Sequence, residues 1–428
     1  MRRPSKNSFQ KLSADSQRLA GLAQAMAQAG SRLEERAWER SLDALIQKLL
    51  KNAHQDTIDA ALDHLFKTEL AAYDALMESV EAVSASCTIE QGGSRYDALL
   101  VAIPILAWTR FTIASGPIAP EMLTTLSAHL YGHVLAANTR LAIAPTLYAI
   151  DQLPRAHVDT FALTQRMAQA ALAGSPLRPL VNPPETAAFI ADTRFILATV
   201  VAPAEAPLFR WQASETPGNV MPEQQNALAQ WRAQAMPNIA RLLPGCGIEL
   251  LLPEAYYVAC READKQIRPA LIRAAVHYLT HTLGTEPQDL SAIIGGFGEE
   301  SIDNRVDEYR VSFALRQHPD VVYGIVWPLY GQEDAEAELR GLSTGLSAQA
   351  DNSAKTAVHS LRSDYAAPVD EIFSLLRECG ITDIKHHNEH FAMEFCDDCG
   401  APLYCDREAE LVHAEMPEDA PQVSGHFH

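Results

Sequence analysis

Three cysteines crowd into the stretch Cys396 to Cys405, and the first two frame Cys396-Asp-Asp-Cys399-Gly400. Two thiolates three residues apart reach one soft cation only across a tight turn, and a glycine behind the second lets the backbone close there. The pattern matches the first half of a zinc ribbon. A ribbon needs a second C-x-x-C pair, and here only Cys405 and His413 follow. The spacing therefore predicts a Cys₃His set for a structural zinc ion, made of Cys396, Cys399, Cys405 and His413. His386 and His390, which the alternation of a strand would put on one face, are substitutes. A tight turn with unligated thiols would leave the same spacing, and half-knuckles are common by chance. A redox role for the pair is disfavoured, because two intervening aspartates should raise the thiol pKa values.

Other constellations carry less. His386-His387-Asn-Glu-His390 reads as a polar edge strand. Gly295-Gly296-Phe297-Gly298 resembles a phosphate loop, but two glutamates follow where a cradle needs a helix N-terminus, so a turn between strands is expected. His129/His133 and His277/His281 are i,i+4 pairs able to chelate from one helix face, yet such pairs are expected by chance among 15 histidines. The chain has no H-E-x-x-H or Walker A sequence. No catalytic residue and no cofactor other than zinc is indicated.

The elements that must position these groups follow from composition and periodicity. The 428 residues are 47% hydrophobic and 21% charged, as in an ordinary globular protein with several domains. A balance of 34 basic against 54 acidic residues gives −20, which repels phosphate backbones, so nucleic acid is not an expected partner. Seven scattered or clustered cysteines fit a reducing compartment better than a disulfide framework. The start has basic residues but no apolar core of a signal peptide. The apolar run Ala98 to Trp108 is too short to span a bilayer. A cytoplasmic protein without a membrane partner is expected, and no signal for an oligomeric state is present.

Residues 1–86 show helical stripes, such as Leu42, Leu45, Ile46 and Leu49, and read as hairpins of helices after a frayed start. Residues 87–185 read as a hairpin over Gly92-Gly93, then strand, helix, strand, helix; residues 186–288 repeat that order after a Pro-rich linker. Pro145-Thr-Leu-Tyr148 matches Pro253-Glu-Ala-Tyr256, each just after an apolar strand, with the second unit's last helix expected from Asp264 to Leu283. Residues 289–428 read as a third, modified unit carrying the Cys/His cluster. The stretch from Gln332 to Ala367 reads as a mobile insertion, and Leu375-Leu-Arg-Glu-Cys-Gly-Ile381 echoes Leu242-Leu-Pro-Gly-Cys-Gly-Ile248. The expected fold is α/β or α+β, with duplicated strand–helix–strand–helix units forming mixed sheets beside an all-helical N-terminal layer.

The stretches YDALLVAIPILAWTR, ADTRFILATVVAPAEAPLFRWQ, ALDHLFKT and CDDCGAPLYCD resemble a bacterial family known as domain of unknown function 2863, nearly end to end. The resemblance implies a cytoplasmic bacterial protein and carries over no site residue. Without a catalytic signature, the sequence points to a non-catalytic scaffold or regulatory protein that binds another protein. The alternatives are an enzyme or small-ligand-binding protein with a pocket between the repeated units, and a zinc-stabilised sensor built on the C-x-x-C.

Overall fold

The chain opens with helices because apolar residues recur at helical spacing and the caps are in place. The structure is a computed structural model that describes residues 12–109, 112–180, 189–213, 220–298, 306–330 and 368–417. Its first elements are α1 (Ala14–Ala27), α2 (Arg32–Lys51), α3 (Gln55–Thr68) and α4 (Leu70–Ala85). The Ser13 and Ser31 hydroxyls accept the backbone N–H groups of Ser16 (3.0 Å) and Glu34 (3.2 Å), satisfying donors that a helix start leaves open. Leu19, Ile46, Ile58, Leu65 and Leu76 meet in one core, which also takes Phe161 from farther along the chain.

The first sheet grows from a hairpin, β1 (Ser86–Gln91) and β2 (Ser94–Trp108). After it come β3 (Gly116–Pro117), α5 (Pro120–His133), β4 (Arg140–Ala149), α6 (His157–Ala173), β5 (Ala191–Pro203), α7 (Val220–Ile239), β6 (Gly247–Leu250), β7 (Glu254–Ala255) and α8 (Tyr256–Leu283). β2 and β5 lie side by side and antiparallel, with Val101 opposite Ala198. β4 pairs with β5, Leu141 opposite Val200, while β6 and β7 pair with β2, Leu250 opposite Ile105 and Ala255 opposite Val101. Each second strand is thus laid on the first strand of the other half. Both are interrupted at Pro145 or Pro253: the β4 register shifts between Ile143 and Leu147, and a gap separates β6 from β7. A proline has no N–H for a ladder and is tolerated at such breaks.

This exchange makes every pairing in the first sheet antiparallel, where a mixed sheet was expected. β2 is buried on both faces, so its alternation sorts two cores. Val101, Ile103 and Ile105 meet α5 and α7 through Leu126, Leu130, Leu228 and Trp231. Leu100, Ala102 and Leu106 meet α6 and α8 through Met167, Ala259, Ala263 and Ile267.

The second sheet holds β8 (Leu290–Gly298), β9 (Glu308–Leu315), β10 (Val321–Pro328) and, after α9 (Pro368–Glu378), β11 (Asp383–Ala392). The order is β10-β9-β8-β11, and β11 runs parallel to β8, so this sheet is mixed. One face is covered by α9 and by the C-terminal half of α8, through Ile272, Ala275, Val276 and Leu279. α8 is therefore shared: its first half packs on one sheet and its second half on the other.

Three expectations need correction. α8 begins at Tyr256 rather than Asp264. Asp264, the expected start, sits inside the helix, where its carboxylate accepts the Tyr330 hydroxyl (2.8 Å). The glycines Gly295 and Gly296 lie within β8, not in a turn. The echo of Leu242–Ile248 in Leu375–Ile381 does not extend to the backbone: the left-handed glycine is Gly245 (φ +80°) in one and Gly380 (φ +89°) in the other, two places apart in the matched motif. The start of the frayed N-terminus (1–11), part of the Pro-rich linker (181–184) and the insertion from Gln332 to Ala367 lie outside the described residues.

The other face of the second sheet receives a small hairpin, β12 (Tyr404–Cys405) and β13 (Leu411–Val412). Two glycines make room for it. A Cβ on Gly324 would stand 2.3 Å from the Tyr404 ring, and one on Gly295 would stand 2.6 Å from the Cys405 sulfur. Gly324→Ala should destabilise the protein by about 1–3 kcal/mol in urea unfolding, and by clearly less in a Tyr404→Ala background, since the clash needs both partners.

Candidate metal centre

Between β11 and β12 the chain folds back on itself. Leu403 N–H donates to Glu394 O (3.1 Å), Cys396 N–H to Ala401 O (2.8 Å) and Gly400 N–H to Cys396 O (2.8 Å). Gly400 takes φ +73°, a left-handed conformation open to glycine at little cost, and this closes the turn behind Cys399. β13 then brings His413 alongside. Its Nε2 lies 3.2 Å from Cys399 Sγ, and the ligand atoms of Cys396, Cys399 and His413 all lie within 4.8 Å of one another. Donors around a tetrahedral zinc ion stand ~3.4–3.8 Å apart, given Zn–S near 2.3 Å and Zn–N near 2.0 Å. The three donors are therefore close to a binding arrangement.

The electrostatics favour a thiolate. The backbone N–H groups of Cys399 and Asp398, together with the Cys399 thiol, hold the Cys396 thiol below its ordinary value, against the opposing charge of Asp398. The expectation from the aspartates alone ran the other way, because it counted side-chain charges and not the amides that the turn aims at the sulfur. His413 Nδ1 lies 3.3 Å from Glu415 Oε1. The contact is too poorly aligned for a hydrogen bond, but the carboxylate stands where it can orient the ring.

Cys405 is not part of this group. It is fully buried in an apolar cluster with Ile293, Phe297, Ala314 and Phe391, and burial pushes its thiol up to about 12. Its carbonyl accepts the Ser312 hydroxyl (2.6 Å). The strand pairing and the space over Gly295 draw Cys405 to the sheet, so the described residues bring together Cys₂His rather than Cys₃His. The substitutes lie elsewhere as well. His386 sits half-buried between the rings of Tyr309 and Phe373, and burial lowers its pKa. The β11 register shifts between His386 and His390, so simple alternation does not relate the two. His387 is buried, with Nε2 2.7 Å from Asp406 O.

One residue that the motif search missed fixes the centre to the fold. Arg310 on β9 has no exposed surface. Its Nε donates to Glu308 (2.6 Å), and its Nη1 donates to the carbonyls of Glu394 (2.8 Å) and Leu403, the two residues at the base of the knuckle. The guanidinium also stacks over Phe297 and Phe395, 4.3 and 5.3 Å from the ring centroids. The signal was an arginine set between Tyr309 and Val311, on the face opposite the apolar Tyr309, Val311 and Phe313. The remaining histidine pairs divide. His129 and His133 reach Asn238 (3.1 Å) and Gln230 (3.2 Å) on α7 and tie α5 to it, while His277 and His281 stack at 6.4 Å on α8.

A family model described as a protein of unknown function, DUF2863, matches residues 4–427. The chain belongs to the DUF2863 family. No curated protein and no solved structure matches it. Among the described residues of this DUF2863 protein, no helix is long and apolar enough to cross a membrane.

Exposure separates the cysteines of the cluster in a measurable way. Cys399 is exposed, Cys396 is partly exposed, and Cys405 is buried. Iodoacetamide applied to the folded protein after chelation should label Cys399 and Cys396 within minutes and leave Cys405 unmodified until the chain is unfolded, as read by peptide mass spectrometry.

Proposed function

We propose that this is a zinc-binding protein in which Cys396, Cys399 and His413 hold one Zn²⁺ and thereby stabilise the C-terminal hairpin. The observation that carries this is the convergence on one point of two thiols from a single turn and an imidazole just past β13, with amides aimed at a sulfur and a carboxylate beside the ring. Soft thiolates with imidazole select zinc over harder divalent ions. Three protein donors leave one tetrahedral position for water or a further ligand, and the thiols are partly exposed, so the metal can exchange. That is the behaviour of a zinc-responsive element rather than of a closed structural site. On the same footing, the two strand–helix–strand–helix halves are copies of one ancestral unit. Their support is the matched prolines and the reciprocal pairing of second strands.

Protein purified without added metal should contain about one zinc per chain by elemental analysis, and Cys399→Ser or His413→Ala should each reduce that content several-fold. Chelation should lower the melting temperature. At free zinc about 100 times the dissociation constant, the stabilisation withdrawn is about 2.7 kcal/mol. Metal-free protein with an unchanged melt after zinc addition would sink the proposal.

A further inference from the structure

A cavity of about 850 Å³ opens between the end of β2, the start of β6 and the middle of α8, far in sequence from the cysteine cluster. That volume suits a small molecule, for which sites of ~300–1,000 Å³ are usual. Trp108 lines it from the sheet side. Its indole is fixed from behind, because Gly247 lies so close that a Cβ there would stand 2.3 Å from Nε1. The ring is still 38% exposed. A rigid, exposed indole in a concave wall is an apolar platform that gains from being covered by another ring.

The helix side supplies charge. Gln266, Arg273 and His277 line the cavity from one face of α8, spaced by one or two turns. In a chain of net charge −20, an arginine with a histidine one turn away on a cavity wall offers an anion one cation and a ring N–H donor. Arg273 is paired with Glu378 at 3.4 Å, but both side chains are more than half exposed, at 56% and 59%. Such a pair contributes little, and its cation can be recruited by another anion. Glu249 and Tyr278 complete the polar lining.

We propose that this cavity binds a small planar aromatic molecule bearing an anionic group, with its ring on Trp108 and its anion on Arg273 and His277. The proposal is independent of zinc. Carboxylate and phosphate share this chemistry, and two probes separate them: 2-naphthoate and adenosine 5′-monophosphate, each beside its uncharged counterpart, 2-naphthamide and adenosine. Isothermal titration calorimetry on the full chain should give a Kd below about 1 mM for at least one anion, with the uncharged counterpart at least about tenfold weaker. Arg273→Met and Trp108→Leu should each weaken the binding anion about tenfold or more while the circular dichroism melt stays in place. Glu378→Gln, which removes the competing carboxylate, should tighten it about two- to threefold. Binding by neither anion at 1 mM, equal binding of the uncharged counterparts, or affinity unchanged in both Arg273→Met and Trp108→Leu would overturn the assignment.

Discussion

A guanidinium with no exposed surface carries the junction between the second sheet and the C-terminal hairpin. Taking such a charge out of water costs several kcal/mol unless it is paired and hydrogen-bonded. Arg310 offsets that cost with the Glu308 carboxylate, two backbone carbonyls and two aromatic faces. Both carbonyls belong to residues that flank the knuckle, and Leu403 N–H also donates to Glu394 O. The base of the turn is thus held by the sheet and by itself, which leaves only the tip, with Cys396 and Cys399, free to adjust to an ion. Packing supports the same junction from beneath, where Gly295 and Gly324 admit Cys405 and Tyr404 against the strands.

The second sheet lies between two regions of chemical interest. On one face sit Tyr309, Val311 and Phe313, packed under α8 and α9. On the other sit Arg310 and Ser312, which hold the hairpin. α8 in turn reaches back to the first sheet, and the cavity wall is the stretch of that helix between its two cores. Pro269 interrupts the hydrogen-bond ladder of α8 between Gln266 and Arg273, so the positions of Gln266, Arg273 and His277 relative to Trp108 are set by the packing of the two ends of the helix on separate sheets.

Much of this architecture was legible because it rests on local rules. Punctuation at Gly92-Gly93 marked the hairpin of β1 and β2, periodicity marked the N-terminal helices, and the glycine after Cys399 marked the turn. What stayed hidden depended on partners distant in sequence. Spacing alone put Cys405 with the other cysteines, while its packing against Ile293 and Phe391 decided otherwise. The start of α8 was missed because Tyr256 and Tyr257 are weak helix formers held by tertiary contacts, the Tyr256 hydroxyl on Pro154 O (3.1 Å) and the Tyr257 hydroxyl on Thr160 Oγ1 (3.1 Å). The cavity left no motif, since Trp108, Glu249 and Arg273 converge only once the strands have paired.

The reciprocal pairing of strands also governs the order in which the molecule can be made. β2 is almost wholly apolar, and its neighbours β5 and β6 lie far downstream. At translation rates of about 5–20 residues per second, roughly 5–19 s pass between the emergence of β2 and that of β5. During that interval the nascent chain displays a bare hydrophobic strand with only β1 beside it, and aggregation competes with completion of the sheet. The N-terminal helices, whose contacts are mostly with one another, are already synthesised by then and are the first folded surface against which that strand can shelter.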